Sequence, residues 1–124
     1  MADAPHREYA AILEPMQISL TTTGARTGRF RTVTLYAWED GEALVIVGSL
    51  GGASRHPAWV HNLRSHPRAT VKHGEQSDAV TAREVEEPGE RERLWRLVVD
   101  RFPLYETYQR RTDRRIPLFV LGRE

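Results

Sequence analysis

A chain of 124 residues with 40% hydrophobic and 28% charged residues has the length and composition of one globular domain, able to fold round a single core without metal or disulfide staples. It has no cysteine, which excludes disulfides, thiolate metal sites and cysteine nucleophiles, and its formal net charge of +1 argues against a protein built to coat nucleic acid. The longest wholly apolar run, Ala43 to Val47, is too short to span a bilayer, and no signal-peptide core accompanies His6, Arg7 and Glu8, so a cytoplasmic protein without stable membrane insertion is expected. Lys72 is the only lysine among 18 basic residues, so position and clustering, not residue type, must carry any argument from charge.

Tyr9, Ile12, Leu13 and Met16 fall at helical spacing and predict a short amphipathic helix over roughly residues 5–14. Ile18 and Leu20 alternate with polar neighbours, a strand running into Thr21, Thr22 and Thr23. After a loop from Gly24 to Arg29, alternation resumes from Arg31 to Trp38. Val33, Leu35 and Ala37 take one face, and Thr32, Thr34, Tyr36 and Trp38 the other. Asp40-Gly41 is a hairpin turn signal, and Ala43 to Ser49 reads as a buried strand. Leu50 to His56 has two glycines and no periodicity, a loop. Pro57 is expected in the first turn of a helix carrying Trp59, Val60 and Leu63, which Pro67 closes. Thr70 to His73 and Ala79 to Val85 are strands joined through Gly74. Pro88 opens a helix with a wide apolar face of Leu94, Trp95, Leu97, Val98 and Phe102. Pro103 breaks it before a short helical segment with Tyr105 and Tyr108, and Ile116 to Leu121 is the closing strand. Six strands joined mostly by hairpins, with covering helices, predict an α+β fold: a small, mostly antiparallel barrel or a curled sheet.

Three constellations bear chemistry. In Gly24-Ala25-Arg26-Thr27-Gly28-Arg29-Phe30-Arg31, two glycines free backbone N–H groups to face an anion, Thr27 adds a hydroxyl, and three arginines supply forks for phosphate or carboxylate. Neither P-loop nor dinucleotide spacing is met, and a Gly/Arg hairpin loop taken alone is more often simply solvated. In Gly48 to Asn62, a strand ends in a glycine pair that admits close approach to the backbone, ahead of a helix start with free N–H groups. Trp59 and Asn62 lie three apart on one helix face; core packing is the plainer use of a tryptophan, but a half-buried amide needs partners. Tyr105 and Tyr108 are also three apart, and tyrosines beside a pocket can donate a hydrogen bond or a proton. His56, His61 and His66 are spaced by five, a rotation of roughly 140° on a helix, so no metal site is expected. The acidic cluster Glu84, Glu86, Glu87 and Glu90 is most simply favourable charge at a helix N-terminus.

With all three constellations in order, the chain resembles the deazaflavin-dependent nitroreductase family. The resemblance covers nearly everything from Ile18 to Leu121. It rests on Leu20-Thr21-Thr22-Thr23-Gly24 with Thr27-Gly28 and Arg31, on Ser49, Gly51-Gly52, Pro57, Trp59 and Asn62-Leu63, and on Pro103, Tyr105, Tyr108, Thr112-Asp113, Ile116 and Pro117. It implies one domain over residues 1–124, with a short helix at 1–16 and, over 17–124, the split β-barrel shared with small FMN-binding proteins. It also implies coenzyme F420 as cofactor and hydride transfer from the reduced deazaflavin to a small acceptor: an enone, quinone, lactone or nitroaromatic. By that resemblance Arg26, Thr27 and Arg31 hold the phosphate and oligoglutamate tail, while Thr32, Val33 and Tyr36 line the ring. Val47, Gly48, Ser49, Leu50, Gly51 and Gly52, with Ala58, Trp59, Val60, His61 and Asn62, flank the deazaflavin and its linker. Tyr105 adjoins the coenzyme and, with Ser49 and Tyr108, serves the acceptor. Two departures stand out: Leu50 replaces an expected basic residue, and the N-terminal helix is shorter than in membrane-associated relatives. The alternatives are an FMN-binding split-barrel oxidoreductase and a non-catalytic deazaflavin carrier; either way the protein is expected as a monomer or homodimer.

Overall fold

The computed structural model describes residues 16–124, so the helix expected over residues 5–14 lies outside the described residues. Alternation sets the first strand, β1 (Met16–Thr23), which turns Ile18, Leu20 and Thr22 inward. It is followed by β2 (Phe30–Asp40), β3 (Ala43–Val47), a single 3₁₀ turn over Leu50–Gly52, α1 (Ala58–Ser65), β4 (Arg68–His73) and β5 (Gln76–Glu84). Then come α2 (Pro88–Arg101), α3 (Leu104–Arg110) and β6 (Leu118–Arg123). The strands close into a barrel in the order β1-β2-β3-β6-β5-β4, every pair antiparallel. This is the expected α+β barrel of six strands with helices outside.

Closure is uneven. β1 pairs with β2 from Met16↔Ala37 to Thr23↔Phe30, but β3 pairs with β2 only from Trp38↔Val45 to Asp40↔Ala43. Beyond Trp38 the strand therefore has a neighbour on one side only, and the wall splits there.

Two cores explain the continuous apolar runs. Ile18, Leu20, Ala37, Ile46, Val60, Leu63, Val71, Phe119 and Leu121 fill the barrel. Trp38, Val45, Val85, Leu94, Val98, Tyr105 and Leu118 pack between its outer wall and the helices α2 and α3. Ala37 and Trp38, Val45 and Ile46, and Leu118 and Phe119 are sequence neighbours serving opposite cores, so these strands are buried on both faces. Helix α1 buries Trp59, Val60 and Leu63 in the barrel end, with Trp59 edge-on to Phe119 at 5.7 Å.

From β1 onward the element order matches expectation; several boundaries move, for local reasons. β3 stops at Val47, not Ser49, because the Gly48 N–H turns to the Pro117 carbonyl at 2.9 Å. β6 starts at Leu118, not Ile116, because the Ile116 N–H is taken by Gln109 Oε1. Pro57 caps α1 rather than joining its first turn. β4 begins at Arg68 and β5 at Gln76, since the ladder from Arg68↔Thr81 to His73↔Gln76 runs through solvent-facing residues that hydrophobicity does not mark. The acidic cluster divides its work. Glu87 caps α2 by accepting from the Glu90 N–H at 2.6 Å, while Glu84 pairs with Arg64 and Glu90 with Arg83. Among the described residues no helix is long and apolar enough to cross a membrane.

Candidate active site

The split in the wall opens onto a cleft of about 1270 Å³, bounded by β2, the β1–β2 loop, the segment after β3, the start of α1, and α3. Arg26, Thr27, Arg31, Thr32, Val33, Tyr36, Val47, Ser49, Leu50, Gly51, Ala58, Trp59, His61, Asn62, Tyr105 and Tyr108 all line it. Three residues expected beside them do not. Val60 is wholly buried in the barrel core. Gly48 is wedged where a Cβ would stand 2.8 Å from Pro117 and 2.9 Å from Val60, and a Cβ on Gly52 would meet the Tyr108 carbonyl at 2.7 Å. The last two glycines shape the loop from behind.

The β1–β2 loop is anchored from inside. Asn62 accepts from the Ala25 N–H at 2.9 Å and donates to Thr22 Oγ1 at 3.0 Å, so its amide finds both partners within the scaffold. Thr27 Oγ1 accepts from the Arg29 N–H at 3.1 Å. Held this way, the loop presents Arg26, Arg29 and Arg31, none of which makes a side-chain hydrogen bond or ion pair with a described residue. Arg55, across the cleft lining, is in the same condition. Of these, Arg26, Arg31 and Arg55 line the cleft, and their unpaired guanidiniums gather positive charge of the kind that suits an anion at one opening.

The opposite lip is organised by Arg114. Its Nε donates to the Ala53 carbonyl at 2.8 Å, its Nη1 to the Gly48 carbonyl at 3.0 Å and its Nη2 to the Ser49 carbonyl at 2.7 Å. Leu50 follows in the left-handed region at φ 43°, with its side chain exposed to the cleft. Arg114 Nη1 also donates to His56 Nδ1 at 2.8 Å, which fixes the ring proton on Nε2. Burial, then the Arg114 charge, holds His56 below the ordinary histidine value. The rings of His56 and His61 approach to 5.7 Å. The helical rotation expected to separate them does not apply, because His56 precedes α1.

The third wall is aromatic. Tyr36, Phe102, Tyr105 and Tyr108 line it with buried Trp38 behind them, in a network of edge-on, stacked and tilted contacts with ring centroids 4.8 to 6.5 Å apart. The buried indole of Trp38 donates to the Tyr105 hydroxyl at 2.9 Å, and burial pushes that hydroxyl up to about 12. Tyr105 is therefore a neutral phenol near pH 7, orientated by Trp38, and the hydroxyl proton of Tyr105 has no acceptor among the described residues. Trp38, Phe102, His56 and Arg114 were not marked as site residues by the sequence. A buried indole needs an acceptor, but Tyr105 is 67 residues away; Arg114 sits in a polar run that reads as solvated.

A split barrel whose cleft joins an aromatic wall to guanidiniums without described partners offers a flat ring apolar cover and an anionic tail positive charge. The family model for F420H(2)-dependent quinone reductase matches residues 8–123. An F420H(2)-dependent quinone reductase of Mycobacterium tuberculosis is 40% identical over 111 residues, 88% of this chain and 74% of the relative. Among solved structures, an F420-H2 dependent reductase is 39% identical, with TM-score 0.77 over 86% of this chain and 94% of its own. A domain-swapped dimer is 34% identical, with TM-score 0.78 over 98% of both chains. The chain belongs to the F420H(2)-dependent quinone reductase family. It is an enzyme of that family, with reduced F420 as hydride donor and quinones and similar small molecules as acceptors. The residues present fit the coenzyme: the cleft offers aromatic and aliphatic surface for the ring and uncompensated arginines for phosphate and glutamates.

Proposed function

We propose that the three walls of the cleft divide the reaction between them. Arg26 and Arg31, with Arg55, grip the anionic tail of F420 and so fix its position along the cleft. Val33, Tyr36, Val47 and Ala58 cover the ring, and Leu50 and Gly51 border the linker. When bound, F420H2 supplies the hydride. Tyr105 and Ser49 hydrogen-bond the acceptor oxygen and stabilise the negative charge that grows there, and Tyr108 or water delivers the proton that completes reduction to the quinol. Enones, lactones and nitroaromatics present the same electrophile-and-oxygen arrangement and belong to the same acceptor class.

The observation that supports this most directly is the Trp38–Tyr105 hydrogen bond of 2.9 Å at the cleft wall. It holds a neutral phenol in place with its proton free to donate. We place the enzyme in the cytoplasm as a monomer or homodimer; one solved relative is a domain-swapped dimer. The test is a coenzyme titration followed by turnover with a panel of quinones, enones, lactones and nitroaromatics. Binding of FMN in preference to F420 contradicts the cleft assignment. Tight F420 binding without reduction of any acceptor makes the protein a carrier.

A further inference from the structure

Outside the cleft, most arginines of the described chain are engaged. Seven pair with carboxylates. Arg101, Arg111 and Arg114 donate to backbone carbonyls. Those with no hydrogen bond or ion pair among the described residues fall in two groups. One stands at the cleft, where the family's anionic coenzyme belongs. The other is Arg91 and Arg115, which line a separate hollow of about 320 Å³ with Pro88, Glu92, Trp95 and Gln109.

The chemistry of this hollow is lopsided. Arg91 is half-buried, with its guanidinium 5.4 Å from the centroid of the Trp95 ring. Burial, then the like charge of Arg115, pulls it down to about 10. A partly desolvated cation beside a second cation destabilises the fold unless an anion compensates. Among the described side chains only Glu84 acts favourably on Arg91, and it makes no ion pair with either arginine. Glu92 is turned to Arg96 at 2.6 Å, and Glu84 is held by both nitrogens of the Arg64 fork at 2.8 Å. Gln109 is committed as well, donating to the Arg114 carbonyl and accepting from the Ile116 N–H. What remains is two guanidinium forks without described partners in one hollow with Trp95 and Pro88, donors of the type that bind planar or tetrahedral oxyanions. The criterion that marks the coenzyme cleft, arginines left without partners around a concavity, thus recurs at a second place.

We propose that this hollow is a second anion site, separate from the coenzyme cleft, which takes a small carboxylate or phosphate between Arg91 and Arg115.

The test uses the ¹⁵N-labelled holoenzyme with F420 at saturation, so that the cleft arginines are already occupied. Inorganic phosphate and acetate are titrated against chloride at matched ionic strength. The indole N–H signal of Trp95, assigned by its loss in Trp95→Phe, is followed. A saturable shift with phosphate, acetate or both, and none with chloride, is expected; the anion that produces it identifies the class. Arg115→Gln, at an exposed position, should weaken that binding by about ten-fold or more, the loss of one charge-assisted fork, while F420 affinity stays unchanged. Arg91→Gln should do the same. A Trp95 response identical for all three anions, or Arg115→Gln titrating like the wild type, overturns the proposal.

Discussion

Arg114 Nη1 and His56 Nδ1 lie 2.8 Å apart, a contact that exists only while the imidazole is neutral, because a guanidinium has protons to give and none to accept. The same guanidinium holds the carbonyls of Gly48, Ser49 and Ala53. Around His56, Arg114, Arg64 and His61 oppose its protonation and only Glu84 favours it. Its folded-state value is thus depressed, and the unfolded chain takes up the proton first as pH falls. The stability due to this contact is complete above about pH 6.5, the unfolded value, and is lost as pH drops through the lower folded value. Thermal melts of wild type and His56→Gln between about pH 7 and pH 5 should diverge, with the wild type falling more steeply because Gln accepts from Arg114 at any pH. Coenzyme affinity of the wild type should fall over the same range. Parallel melting curves remove His56 from the loop's pH response.

Tyr105→Phe keeps the ring contacts with Phe102 and Tyr108 and deletes only the oxygen. If the hydroxyl bonds the acceptor mainly in the transition state, kcat should fall about ten- to a thousand-fold, with F420 affinity unchanged. The buried Trp38 indole also loses its acceptor, so stability should drop by about 1–3 kcal/mol. Single-turnover oxidation of bound F420H2 with saturating acceptor reads the chemical step apart from product release. A wild-type rate there makes the Trp38–Tyr105 pair purely structural.

Arg26→Ala and Arg31→Ala should each weaken F420 binding by roughly 1.5–3 kcal/mol, the worth of charge-assisted hydrogen bonds. Both side chains line the cleft and neither has a described partner, so their removal should leave the melting temperature nearly unchanged. The penalty should shrink at high salt, which already weakens the wild-type complex. Equal affinity of wild type and both variants at low salt excludes these arginines from the tail site.

Leu50 combines a left-handed backbone with an apolar side chain exposed at the cleft. Leu50→Lys should tighten F420 binding by up to about 1 kcal/mol, as expected of a partly exposed ion pair, and more for longer oligoglutamate tails. Leu50→Gly should instead raise stability by about 1 kcal/mol, since only glycine takes that φ without strain. Weaker coenzyme binding by the lysine variant places Leu50 in packing.

The order of strands and helices was legible because burial leaves a period: Ile18 and Leu20 alternate, and Leu94 and Val98 sit four apart. Strand limits at Arg68 and Gln76 were not, because a ladder continues through solvated residues that carry no hydrophobic signal. Local features, the Gly/Arg loop, the glycine pair before α1 and the tyrosine pair, marked part of the cleft, and the family resemblance supplied the ring-lining residues such as Val33, Tyr36 and Val47. The contacts that orient them escaped. Trp38 reaches Tyr105 across 67 residues and Arg114 reaches Gly48 across 66, and only the closed barrel brings such partners together. The three-histidine rotation misled for a simpler reason: it presumed helix at His56, where the backbone has not yet entered one.

β6 lies between β3 and β5 in the finished barrel yet follows every other strand along the chain. During synthesis the two hairpin edges that will receive it stand open until residues 118–123 leave the ribosome. Closure therefore comes late and joins distant segments, the circumstance in which folding is slow and a neighbouring chain can compete for the vacant place. How crowded the nascent protein is at that moment becomes part of what determines its yield.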